Sequence, residues 1–209
     1  MRIVLWRHGQ TDWNVENRFQ GHSDIPLNTV GQYQATHAAK ILAGMNPVKI
    51  IASDLGRAQQ TAQALADLTH LPIHTEVGLR ETNGGNWEGK TGEENRAVDP
   101  EAFTQWFKGG DEPAGTIGER RSEVAARAIA AIEKHLAEGD GDLIVVTHGG
   151  TIRCVLGKIL DLPMGHWAVL GGLSNASWSV IEKARTGWIL VEHNAGSIPE
   201  PVYGSESSN

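Results

Sequence analysis

The sequence predicts an α/β fold, a three-layer sandwich with a mostly parallel central sheet, helices on both faces and a small cap insertion. Three observations carry this. Short unbroken apolar runs read as strands buried on both faces, as parallel strands are. Segments with apolar residues three and four apart alternate with them and read as helices that cover the sheet. One stretch rich in Gly, polar residues and Trp breaks the alternation.

The first strand is Ile3 to Trp6, ending at Arg7. Val30, Ala38, Ile41 and Leu42 then mark a helix from about 30 to 45, with Thr29 as N-cap and Gly44 and Pro47 closing it. Val48 to Ala52 is a second strand, and Ala58, Thr61, Ala62, Leu65 and Leu68 form the stripe of a second helix. Ile73 to Val77 reads as a third strand. Residues 83–117 form the cap, with short helical patches around Glu93 and Phe103. The clearest helical period follows at Val124, Ala128, Ile129, Ile132 and Leu136, ended by Gly139. Asp142 to Thr147 is a buried fourth strand, followed by a helix to about Leu160. Ser177 to Glu182 and Trp188 to His193 finish the chain as a hairpin turning at Thr186-Gly187. Residues 1–196 are expected to form a single domain carrying the cap, and 197–209 a flexible tail.

The 209 residues are 40% hydrophobic and 21% charged, a globular composition. Cys154 stands alone, so no intrachain disulfide is possible, and the opening residues lack a signal-peptide core. No apolar run approaches the roughly 18 residues that cross a bilayer. A soluble, cytoplasmic protein without a membrane partner is expected. The net charge of −7 argues against nucleic-acid binding, which needs a basic face. An anionic ligand would therefore have to be held by locally placed cations.

Such cations fall where open α/β sheets bind ligands, just past the carboxyl ends of strands. Arg7, His8 and Gly9 follow the first strand; Ser53, Asp54 and Arg57 the second; Glu81 the third; His148, Gly149 and Gly150 the fourth. Arginine forks match phosphate oxygens, and the glycines at a helix start let an anion approach backbone N–H groups. Asn14 could add a neutral donor. Neighbouring arginines keep an imidazole unprotonated, which leaves His8 free to attack phosphorus. Glu81 is the candidate acid for the leaving oxygen, and the same carboxylate can then activate water. No cofactor and no metal is called for.

These residues form linked motifs in order: Arg7-His8-Gly9-Gln10-Thr11 with Asn14, Arg18 and Gln20-Gly21; Ser53-Asp54-Leu55-Gly56-Arg57-Ala58; Leu79-Arg80-Glu81; Trp87-Glu88-Gly89; and Thr147-His148-Gly149-Gly150. The set resembles the histidine phosphatase superfamily, which also contains the cofactor-dependent phosphoglycerate mutases, over residues 1 to about 194. The resemblance implies a phosphoglycerate mutase-like fold. It also implies His8 as the phosphorylated residue, Glu81 as proton donor, and Arg7, Arg57, Asn14 and His148 as phosphate ligands, with Gln20, Gly21 and Gly149 alongside. The stretch Leu162-Pro163, Trp167, Leu170-Gly171-Gly172 and Asn175-Ala176-Ser177-Trp178 is similar to the glucosyl-3-phosphoglycerate phosphatase subfamily.

Mutases of this superfamily carry Tyr-Gly shortly after the catalytic glutamate and an arginine pair in a longer cap. Here the run is Glu81-Thr82-Asn83-Gly84-Gly85-Asn86-Trp87, and Arg120-Arg121 begins a helix instead. A metal-independent phosphatase acting on a small phosphate ester is therefore preferred to a mutase or a non-catalytic phosphate-binding module. The remaining histidines are given no role: His37 and His135 are expected to be solvated, His22 and His166 on the surface, and His70, His74 and His193 without partners. Trp6, Trp178 and Trp188 are assigned to the core, and Trp87, Trp106 and Trp167 to cap packing, substrate or a subunit contact. A homodimer is one possibility, with Leu170 to Trp178 as its surface.

Overall fold

A computed structural model describes residues 2–136 and 141–196. In chain order the elements are β1 (Arg2–Arg7), α1 (Asp12–Val15), α2 (Thr29–Leu42), β2 (Pro47–Ala52), α3 (Gly56–Thr69), β3 (Ile73–Thr75), α4 (Gly92–Val98), α5 (Pro100–Phe107), α6 (Arg121–Glu133), β4 (Asp142–Thr147), α7 (Gly149–Ile159), β5 (Trp178–Ala184) and β6 (Gly187–Ala195). The sheet order is β3-β2-β4-β1-β5-β6, parallel from β3 to β1 and antiparallel beyond it. Gly139 and residues 197–209, expected to end a helix and to form a tail, lie outside the described residues.

The period-two side-chain alternation of the strands splits the core into two layers. Val4, Trp6, Ile50, Ala52, Ile144 and Val146 point to α2 and α3, whereas Ile3, Leu5, Ile51, Leu143 and Val145 point to α6 and α7. Each fully buried aliphatic side chain contributes about 1.5–3 kcal/mol. That double burial is why the strands lack polar alternation in the sequence.

The helix facing β1 is capped one residue earlier than expected. The Asn28 side chain accepts from Gly31 N at 2.9 Å, so Asn28 and not Thr29 is the N-cap. The buried stripe of α2 is Gly31, Ala35, Ala38, Ala39 and Leu42, and Val30 and Ile41 face outward. These small residues let α2 sit close to the loop after β1: a Cβ on Gly31 would lie 2.0 Å from Gln10 O, and one on Gly9 would lie 2.3 Å from Gly31 O. In α3 the stripe runs through Leu65 and Ala66, leaving Leu68 exposed.

The third strand is shorter than expected. Val77 is exposed and begins a 3-10 turn, Val77–Leu79, that redirects the chain toward Glu81. The hairpin turns at Arg185 and Thr186, and Trp188 is half-buried, packing at the margin of the core layer on the α6 and α7 side with Lys183 Nζ 5.1 Å from its ring centroid. Trp6 and Trp178 are core.

Within 83–117 the short helices α4 and α5 gather a separate apolar cluster of Trp87, Phe103, Trp106 and Ala114. Trp87 meets Phe103 and Trp106 edge-on at centroid distances of 5.7 and 5.6 Å, the orientation that ring quadrupoles favour. Trp167 does not join this cluster; it packs with Val124, Ala125 and Cys154 against α7. No helix of the described residues is long and apolar enough to cross a membrane.

Replacing Asn28 by Ala removes the α2 cap and is expected to lower stability by about 1 kcal/mol in urea denaturation, with an unchanged m-value.

Candidate active site

Because Arg7 pairs with Thr147 across β1 and β4, and Ala52 with Val146 across β2 and β4, three strand ends open at one place. Above them is a cleft of about 1200 Å³ lined by Arg7, His8, Asn14, Gln20, Arg57 and Glu81, among others. Gly21, Gly149 and Gly150 also line it.

His8 begins the loop after β1 and is 3% exposed. Its backbone is fixed on both sides, with N donating to Thr147 O at 3.0 Å and O accepting from Ala176 N at 3.1 Å. Nδ1 lies 2.7 Å from Gly9 O. A carbonyl only accepts, so Nδ1 carries the hydrogen and Nε2 keeps a free lone pair. Burial first, then Arg57 and Arg7, hold the imidazole well below the usual histidine pKa of 6.5.

His148 is fully buried behind His8, with ring centroids 5.1 Å apart. Its Nδ1 accepts from Arg57 Nε at 3.2 Å, so Nε2 bears the hydrogen, and that atom is buried without a partner. Burial and then Arg57 keep this imidazole neutral too. Arg57 is buried, and its other donors reach carbonyls, Nη1 to Ser23 O at 2.8 Å and Nη2 to Gly21 O at 2.9 Å. Burial lowers its pKa to about 10, which leaves it charged at neutral pH. Arg7 donates from Nη1 to Leu173 O, while its Nε is buried without a partner.

Glu81 occupies the anion position at the start of α7. The start of α7 was expected to present free N–H groups to an anion, yet Gly150 N donates to Glu81 Oε2 and Thr151 N to Oε1, both at 3.0 Å. Thr82 N adds a bond to Oε1 at 2.8 Å. The dipole end of α7 is thus occupied by this carboxylate. A Cβ on Gly150 would lie 2.6 Å from Glu81 Oε1, which explains the glycine.

Asn14 Oδ1 accepts from Thr11 N at 3.0 Å and Asn175 Nδ2 at 3.1 Å, which orients its NH2 as the remaining donor. Gln20 is buried, with Oε1 accepting from Thr11 Oγ1 at 3.0 Å. Gly21 has φ +50°, and a Cβ there would meet Glu88 Oε1 at 2.0 Å. Its contribution is the carbonyl that holds Arg57.

Some motif residues shape the site from behind. Asp54 forms a two-point ion pair with Arg80, at 2.8 and 2.5 Å, and the guanidinium holds its carboxyl below the usual range. Glu88 accepts from His22 N, Ser23 N and Gly84 N, tying the 20–23 loop to the cap. Arg127, which no sequence motif marked, bonds Gly78 O, Arg80 O and Glu81 O as well as Glu119. His22 is half-buried, with Nε2 3.0 Å from Glu81 O. His135, expected to be solvated, is half-buried and bonds Glu76, and His193, expected without a partner, bonds Ser179 and Leu170 O. His37 is exposed as expected but stands at the cleft rim against Tyr33. Trp13, Tyr33, Phe107, Arg121 and Arg153 also line the cleft and were not foreseen there.

Residues 3–196 match the profile of the histidine phosphatase superfamily (branch 1). The chain belongs to this superfamily. Among curated relatives, the glucosyl-3-phosphoglycerate phosphatase of Mycolicibacterium vanbaalenii is 39% identical over 186 residues, spanning 85% of this chain and 82% of that protein. A probable phosphoglycerate mutase GpmB of Yersinia enterocolitica is 34% identical, spanning 90% and 88%. A solved mycobacterial glucosyl-3-phosphoglycerate phosphatase complexed with VO3 superposes with a TM-score of 0.87 at 37% identity, covering 93% of this chain and 99% of that one. The superfamily's fold, as expected, accounts for the mixed sheet with helices on both faces.

In a pH titration followed by imidazole NMR, His8 and His148 are expected to stay neutral well below pH 6.5. Histidines held neutral in the fold take up protons more readily when unfolded. Stability is therefore full above about pH 6.5 and falls as pH drops toward the depressed values, by up to about 1.4 kcal/mol per pH unit for each ring.

Proposed function

We propose that this protein is a phosphatase that hydrolyses a small-molecule phosphate monoester through a phosphohistidine on His8. The observation that carries the reading is the tautomer of His8. With Nδ1–H given to Gly9 O, an unprotonated Nε2 stands among Arg7, Arg57 and the unpartnered Nε2–H of His148. Binding alone does not need a lone pair aimed into a cationic site.

A phosphoryl group seated there would take donors from Arg7, Arg57, Asn14 and His148, with Gln20 and Gly149 bordering it. His8 Nε2 attacks phosphorus, the P–O ester bond breaks, and the departing oxygen takes a proton from Glu81. A carboxylate oxygen has two lone-pair directions, and Glu81 Oε2 gives one to Gly150 N, which leaves the other for that proton. Glu81 then takes a proton from water, whose oxygen attacks phosphorus. The P–N bond breaks, inorganic phosphate leaves, and His8 regains its neutral form. Guanidinium and imidazole donors stabilise the charge on the phosphoryl oxygens in both steps, so neither step draws on a metal.

The substrate is proposed to be glucosyl-3-phosphoglycerate or a related phosphorylated metabolite. The names of the relatives support this, as does a cleft wide enough for more than a phosphate. The segment 83–117, which contributes Trp106, Phe107 and Gly109 to the wall, would select the alcohol half. A mutase reading has the weaker relative in its favour.

His8→Ala is expected to abolish turnover of p-nitrophenyl phosphate and the acid-labile labelling that a quenched wild-type reaction shows. Full activity in that variant would remove the proposal. A panel of phosphoglycerate, glucosyl phosphoglycerate, sugar phosphates and phosphoamino acids, compared by kcat/KM, identifies the alcohol.

A further inference from the structure

Residues 173–177, which lead into β5, wrap the end of β1, and the phosphoryl chemistry above gives them no part. Leu173 O accepts from Arg7 Nη1, Ser177 O accepts from Arg7 N at 2.9 Å, and Ala176 N donates to His8 O at 3.1 Å. Ala176 is buried and has φ +58°, a left-handed conformation that its Cβ makes costly. It is held there from both sides, since its carbonyl accepts from Trp6 Nε1 at 2.9 Å. Strain that the surrounding structure over-determines in this way points to a backbone shape with a use.

The side chain that this turn presents is Asn175, half-buried at the cleft wall. Its Nδ2 carries two hydrogens, and each has an acceptor: His8 O at 3.3 Å and Asn14 Oδ1 at 3.1 Å. Asn14 lies on α1, a helix of four residues with little stability of its own. Its amide turns on a terminal torsion with a broad range, and Thr11 N at 3.0 Å fills only one lone-pair direction of Oδ1. The Thr11 hydroxyl, also near Oδ1, gives its single hydrogen to Gln20 Oε1. Asn175 fills the second direction. With both taken, the amide plane is set and the Asn14 NH2 is left as a fixed donor before any ligand arrives.

We propose that Asn175 is a positioning residue for phosphoryl binding, acting through Asn14, whose NH2 it holds ready for a phosphoryl oxygen. The role rests on the phosphatase reading and adds to it a residue 161 positions from the donor it serves. A donor fixed in advance loses no rotational freedom when the phosphoryl group binds, so it contributes more than the same amide left free to turn.

The test is a double-mutant cycle on inorganic phosphate, measured as a competitive inhibitor of p-nitrophenyl phosphate hydrolysis. Asn175→Ala is expected to raise the phosphate Ki by about threefold to tenfold, the effect of releasing one side-chain amide. In an Asn14→Ala background the same substitution is expected to change Ki by less than about twofold. A role only in holding the fold or the His8 carbonyl would raise Ki equally in both backgrounds. That result overturns the proposal, as does an unchanged Ki in Asn175→Ala alone. Should circular dichroism show Asn175→Ala to be unfolded, Asn175→Leu, which fills similar space and donates nothing, carries the same expectation. A wild type that neither hydrolyses the aryl ester nor binds phosphate is a separate result, which removes the phosphatase reading and this role together.

Discussion

Arg57 has no exposed surface and no ion pair among the described residues; carbonyls of Ser23 and Gly21 and a histidine nitrogen take its donors instead. The rest of the site follows from this way of burying charge. An acid beside Arg57 would neutralise the guanidinium and compete with an incoming phosphate, whereas backbone dipoles satisfy its N–H groups and leave its net charge to act on the cleft. That charge, together with burial, keeps His8 and His148 unprotonated. Glu81 is held in the complementary way, its carboxylate bonded by the amides of Gly150, Thr151 and Thr82 and, among the described residues, by no cationic side chain.

Holding charges by backbone requires loops of fixed shape, and the surrounding motifs supply that shape. Glu88 bonds three amides across the 20–23 loop and the cap, which sets the carbonyls that Arg57 needs. Arg80 and Asp54 clamp the ends of two strands together. Arg127 gathers the carbonyls of residues 78, 80 and 81 and so fixes where the Glu81 backbone stands. The Arg80–Asp54 and Arg127–Glu119 ion pairs thus lie behind the cleft, where partial solvent exposure lessens the desolvation cost.

The cap is built on another principle. Its cluster of Trp87, Phe103 and Trp106 is separate from the two layers of the main core. Trp106 serves both sides, packing against Trp87 and stacking beneath Arg121 at the cleft wall. The wall at this side of the cleft is supported by these aromatic contacts together with hydrogen bonds, Asn95 Nδ2 to Trp87 O and Arg121 Nη2 to Trp106 O among them.

The sequence by itself determined the layered α/β fold and the strand ends that carry Arg7, His8, Arg57, Glu81 and His148, because unbroken apolar runs and their exit residues are local patterns. It misplaced features that depend on one atom's partner. Thr29 and Asn28 are both good N-caps by type, and only the bond to Gly31 N separates them. The glycines after His148 suit an anion site, and only the approach of a chain segment almost 70 residues away shows that Glu81 is the anion there. The tertiary structure alone set Arg121 over the Trp106 ring and Arg127 on the carbonyls of residues 78, 80 and 81, since these contacts join elements distant in sequence. Spacing along a chain records which face of an element is buried; it does not record which carbonyl, ring or carboxylate will be folded against that face.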